Sequence, residues 1–127
     1  MSTRVLLAAL VSLNGELAGV LTRHPELPEL VRVGVDWAGY VDPYPHGEVQ
    51  LTATTTPAGL LGWLHALGAT SGQRLDGVPV VTAEGRIGGL PVGLIAPLPR
   101  GVEQLGREWT VGQLAALVAV PGPRDPS

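Results

Sequence analysis

Apolar and polar positions repeat with two different periods along this chain, and the switches between them mark its elements. Leu6, Leu10, Leu13, Leu17 and Val20 step by four, three, four and three, the seam of a long amphipathic helix. Ser2 or Thr3 can cap its start, and Arg23 and His24 before Pro25 suit its end, where cations meet the negative pole of the helix dipole. Gly15 and Gly19 each lower its intrinsic stability by roughly 1 kcal/mol relative to alanine, so packing must hold it. Leu30–Trp37 reads as a strand with Val31, Val33 and Val35 on one face. Residues 38–47, AGYVDPYPHG, read as a loop, because their two prolines oppose regular structure.

The best-marked stretch is 48–68. Val49, Leu51 and Ala53 alternate with Gln50, Thr52 and Thr54 as in a half-buried strand. Thr56 then caps a helix with Pro57 at its first position, Leu60, Trp63, Leu64 and Leu67 forming one apolar stripe, and Gly68 just past the end. Residues 69–77 read as a second loop. Residues 78–87 and 90–96 read as two strands turning at Gly88–Gly89, with Pro79, Pro91 and Pro97 at strand ends or an edge. Residues 101–107 suggest a short helical turn. The closing helix carries a capping box in Thr110 and Gln113, staple positions in Trp109 and Leu114, and a stripe of Leu114, Leu117 and Val118 up to Pro121. Residues 121–127 read as a frayed tail.

The order is α-β-β-α-β-β-α. It predicts an α+β domain over residues 1–120 with a four-stranded, mostly antiparallel sheet and its helices packed on one face. At 127 residues and 45% apolar content, one packed core is the simplest outcome.

Composition removes several chemistries. All eight basic residues are arginine, so there is no Schiff-base amine and no phosphate-binding lysine of the Walker type. Without cysteine there is no thiol nucleophile, thiolate metal site or disulfide. The net charge is −3, and residues 1–63 hold three arginines against six acids, which is the opposite of a basic face for nucleic acid. Arg4 before the apolar run Val5–Val11 hints at a leader, but Asn14, Gly15 and Glu16 follow too closely, no small-x-small site appears, and the run is too short to span a membrane.

Asp36, Asp42, His46 and Glu48 fall within thirteen residues, beside Trp37, Tyr40 and Tyr44. Carboxylates and imidazole can bind a cation or share a proton, yet their spacing matches no ligand motif, and Asp and Pro also shape turns. His24 is explained as a helix terminator and His65 as a helix-flank residue. Ser71 lacks the G-x-S-x-G elbow, Gly85, Gly88 and Gly89 do not form G-x-G-x-x-G, and the threonines at 52 and 54–56 suit a strand face and a cap.

The segment TTTPAGLLGWLHALGA followed by a G-x-x-G-G-x-P-V hairpin resembles a pattern in small proteins of high-GC actinobacteria, often in phage- or plasmid-like neighbourhoods, with no assigned activity. The resemblance covers residues 47–97. It implies a fold unit and a cytoplasmic setting and carries over no functional residue.

These readings lead to a non-enzymatic cytoplasmic interaction or assembly module with an unidentified protein partner and no cofactor, metal or catalytic set. Trp37, Tyr40, Tyr44, Asp42 and His46 form the expected partner surface. Leu6, Leu10, Leu13 and Leu17 are the expected self-association seam of a homodimer. The alternative is a small-ligand- or metal-binding protein or minor enzyme using the 36–48 loop with Arg32 or His65, and the third is a nucleic-acid-binding accessory protein.

Overall fold

Ser2 opens the first helix: its hydroxyl accepts the Val5 N–H at 3.4 Å, and α1 then runs Thr3–Arg23 until His24 closes it with a bond to the Val20 carbonyl at 2.8 Å. The computed structural model describes residues 2–119, so the tail expected over 121–127 lies outside the described residues. After α1 come β1 (Leu30–Ala38), β2 (Tyr44–Leu51), α2 (Pro57–Ala66), β3 (Ser71–Arg74), β4 (Val80–Ile87), β5 (Leu90–Pro97), a 3-10 turn (Val102–Leu105), β6 (Glu108–Thr110) and α3 (Val111–Ala119).

The class is α+β, but the sheet corrects the expected one. It has six strands, not four, in the order β1-β2-β5-β4-β3-β6, and it is mixed because β2 and β5 run parallel. β3 occupies what the sequence presents as a loop, since Ser-Gly-Gln-Arg has no apolar alternation. It is a strand because β4 and β6 flank it on both sides, with Gly72 opposite Ala83 and Trp109. β6 is three residues long, too short for any period to show. The parallel pair arises because α2 carries the chain over the helical face to β3 and β4, laid down farther along the sheet, before β5 returns beside β2, which no contiguous stretch of residues reveals.

One further boundary moves. The strand expected from Val49 to Thr54 is instead Tyr44–Leu51, and Thr52–Thr55 forms a turn in which the Thr55 hydroxyl donates to the Thr52 carbonyl at 2.8 Å. Pro45 is tolerated in β2 because it lies before the Gly47–Gln50 stretch that pairs with β5.

All three helices lie on one face of the sheet. Leu13 of α1 sits over Gly47, Leu67 after α2 lies over Gly85, and Trp109 leading into α3 lies over Gly72. Leu13, Leu17, Val20, Val49, Leu51, Leu60, Trp63, Leu64, Val81, Val92, Leu94 and Leu114 form one continuous core beneath them. Burial of each such side chain contributes roughly 1.5–3 kcal/mol. The Trp63 indole N–H donates to the Pro28 carbonyl at 2.8 Å, pinning α2 to the turn before β1.

α1 has the length expected from its seam, and its mean hydropathy of 1.8 over an 18-residue window meets the length and composition of a membrane span. Along it Leu13, Leu17 and Val20 are buried against the sheet, and most of the remaining helix surface is exposed.

Candidate functional site

The face opposite the helices is bare, and its side chains follow from the strand registers. Because successive residues point to opposite faces, the strand positions between the buried ones carry Arg32, Gly34 and Asp36 on β1, His46, Glu48 and Gln50 on β2, and Thr82, Glu84 and Arg86 on β4. Gly93 and Ile95 of β5 lie between them.

Gly93 makes the centre of this face possible. His46 Nε2 stands 3.2 Å from Glu84 Oε2, a contact reaching across β5 from β2 to β4. A Cβ on Gly93 would lie 3.1 Å from His46 Cε1 and 3.4 Å from Glu84 Oε1, so any larger residue would push against the pair. The Glu84 side chain is 75% exposed, and water screens the interaction.

The β1–β2 hairpin sorts the residues that are neighbours in sequence. Asp36 pairs directly with His46, and Gly34 with Glu48, so Asp36, His46 and Glu48 share the bare face. Asp36 Oδ1 accepts its neighbour Trp37's N–H at 2.7 Å. Trp37 pairs with Pro45 on the helical face and is half-buried. The expected loop over 38–47 shrinks to a turn at 39–43, with Gly39 in the left-handed region at φ 85°. Tyr40 and Val41 at that turn are fully exposed, with Asp42 and Tyr44 exposed beside them. Tyr40, Tyr44 and Asp42 thus stay together at the tip, while His46 faces the sheet surface and Trp37 leans under it.

Of the expected self-association seam, Leu13 and Leu17 are taken up by the chain's own core, and Leu6 and Leu10 are half-buried. His65 is exposed on α2 and Arg32 exposed on β1, in separate elements. Thr56 caps α2 by accepting the Gly59 N–H at 3.1 Å. Glu84 is the site residue that sequence reasoning missed. It lies thirty-eight residues from His46, and only the β2-β5-β4 order brings them together.

Toward the other edge the bare face dips into an open depression of about 670 Å³ lined by Ser71, Gln73, Thr82, Glu84, Glu108 and Thr110. Among the described residues, no three His, Asp or Glu side chains converge as a metal set, and no hydroxyl bonds to His46. The pair can accept and donate a proton but has no nucleophile in line with it. No protein-family model, curated protein or solved structure matches the chain.

Proposed function

We propose that the chain is a non-enzymatic cytoplasmic interaction module whose partner-contact surface is the β1–β2 hairpin tip. The observation that carries this reading is the full exposure of Tyr40 and Val41 at a turn held between strands of nine and eight residues. Large apolar groups on a stiff support lose little conformational entropy on binding and recur as interface anchors. Asp42 beside them favours a partner with basic or hydrogen-bond-donating groups. The bare face carries Asp36, Glu48, Glu84 and Glu108 against Arg32 and Arg86, an acid excess that repels a phosphate backbone.

The test is a Tyr40→Ala/Tyr44→Ala double variant used as bait in native lysate beside the wild type. The expected result is an unchanged melting temperature with loss of the proteins that wild type captures. A variant that melts several degrees lower and keeps those proteins makes the tyrosines structural and removes the reading.

A second reading rests on the His46–Glu84 pair over Gly93, a polar centre suited to a small ligand or cation. A thermal-shift screen of divalent metals and metabolites decides it: a ligand at about 100 times its Kd raises stability by about 2.7 kcal/mol, and His46→Ala should abolish that shift.

A further inference from the structure

We infer that β1 is the seam of a two-fold homodimer, in which the sheets of two copies join edge to edge and their α1 helices pack across the join. Among the described residues β1 pairs with β2 alone, leaving nine residues of free strand edge. The opposite edge, β6, has three residues and leads straight into a helix. Long edges are commonly blunted by lysine, proline or a bulge. β1 has neither lysine nor proline, and its irregularity is confined to the start, between Leu30 and Arg32.

The edge is complementary to itself. Place a two-fold axis at Gly34 and run β1 antiparallel to a second β1. Arg32 then stands opposite Asp36 of the second copy, and Asp36 opposite its Arg32. On the other face of the same register Val33 meets Val35, and Val35 meets Val33. Opposite charges and β-branched pairs directly across an antiparallel ladder are both stabilising, and the symmetry makes each occur twice.

The helix layer agrees independently. The residue following each position of the Leu6–Leu10–Leu13–Leu17–Val20 seam, namely Leu7, Val11, Asn14, Ala18 and Leu21, forms a second stripe turned by about 100° from the first. Glu16 on the opposite flank lies against Gly88, at the turn between β4 and β5, so the second stripe faces the free β1 edge. There Leu7 is 55% and Val11 72% exposed.

The spacing fits as well. α1 packs on β1 and β2, so two such helices flanking a paired seam stand about two strand spacings apart, ~9.6 Å. Helices pack at about 8–10 Å. Leu13 sits over Gly47, which pairs with Val35. One strand residue further, ~3.3 Å or about two helical residues, brings the axis to Asn14–Gly15. Asn14 would then face Asn14 of the second copy, with Leu7 near Leu21 and Val11 near Ala18. A single asparagine in an apolar helix seam is a device that selects one register. This inference does not rest on the hairpin tip.

The test is sedimentation equilibrium with charge swaps. Wild type should show twice its 13.1 kDa mass. Arg32→Asp or Asp36→Arg alone creates two like-charge pairs and should raise the dimer dissociation constant about tenfold or more, while Arg32→Asp/Asp36→Arg together should restore it. Because the chain has no cysteine, Gly34→Cys supplies a second, geometric readout. Its Cβ meets nothing within 4 Å in its own chain, and directly opposed antiparallel Cα atoms stand about 4.5–5.5 Å apart, within disulfide reach. Mild oxidation should cross-link Gly34→Cys and leave Ala58→Cys, on α2 away from the seam, without a cross-link although still dimeric. The Tyr40→Ala/Tyr44→Ala variant should remain dimeric. A monomeric wild type at high micromolar concentration, a dimer indifferent to the single swaps, or failure of Gly34→Cys to cross-link would each overturn the inference.

Discussion

Trp63 and Trp109 are both buried, yet their indole nitrogens are treated differently. Trp63 Nε1 donates to the Pro28 carbonyl, whereas Trp109 Nε1 makes no hydrogen bond among the described residues. Replacing a tryptophan by phenylalanine removes similar volume at either place. At Trp63 it also strands a carbonyl, a further loss of about 1–3 kcal/mol; at Trp109 it removes a buried donor that already lacks a partner. Trp63→Phe is therefore expected to cost more than Trp109→Phe in a urea titration, and the reverse order would mean that the Pro28 contact contributes nothing. The burial of Trp63 was legible in its helical stripe. Its partner was not, because Pro28 lies thirty-five positions away in sequence and carries no local mark of the contact.

Elements with chemically explicit ends fold where the sequence places them. α3 shows why: the Gln113 N–H donates to the Thr110 hydroxyl at 3.0 Å, and the Thr110 N–H to Gln113 Oε1 at 2.8 Å, so two otherwise unpaired donors are satisfied reciprocally. Thr110→Ala is expected to cost about 0.5–2 kcal/mol, measured by thermal denaturation, and Thr110→Ser should recover most of it. A loss no larger for alanine than for serine would mean that packing by Trp109 and Leu114 sets the helix start without the cap. α2 behaves likewise, with Thr56 before it, Pro57 at its first position and Gly68 at φ 64° after it. β2 does not. Its first half, Tyr44-Pro45-His46-Gly47, lacks a strand's pattern and is extended because β1 pairs with it residue by residue.

At the scale of the molecule, β5 is the strand the others depend on. It pairs with β2 on one side and β4 on the other, and Val92, Gly93 and Leu94 are buried in succession because the His46–Glu84 pair covers Gly93 on the otherwise bare face. Native-state hydrogen exchange should therefore find the slowest amides in β5 and its neighbours, and the fastest in β6 and the 39–43 turn. Slower exchange in β6 than in β5 would contradict the strand order. The sequence alone determined the α+β class, all three helices with their caps, the β4–β5 hairpin and the buried stripes, since each is specified by residues within a few positions of one another. The tertiary structure alone decided the strand count, the parallel β2–β5 pair, the division of residues 36–48 between a bare face and a tip, and the meeting of His46 with Glu84. Each of these depends on which distant strands become neighbours, and that choice is made by the core as a whole.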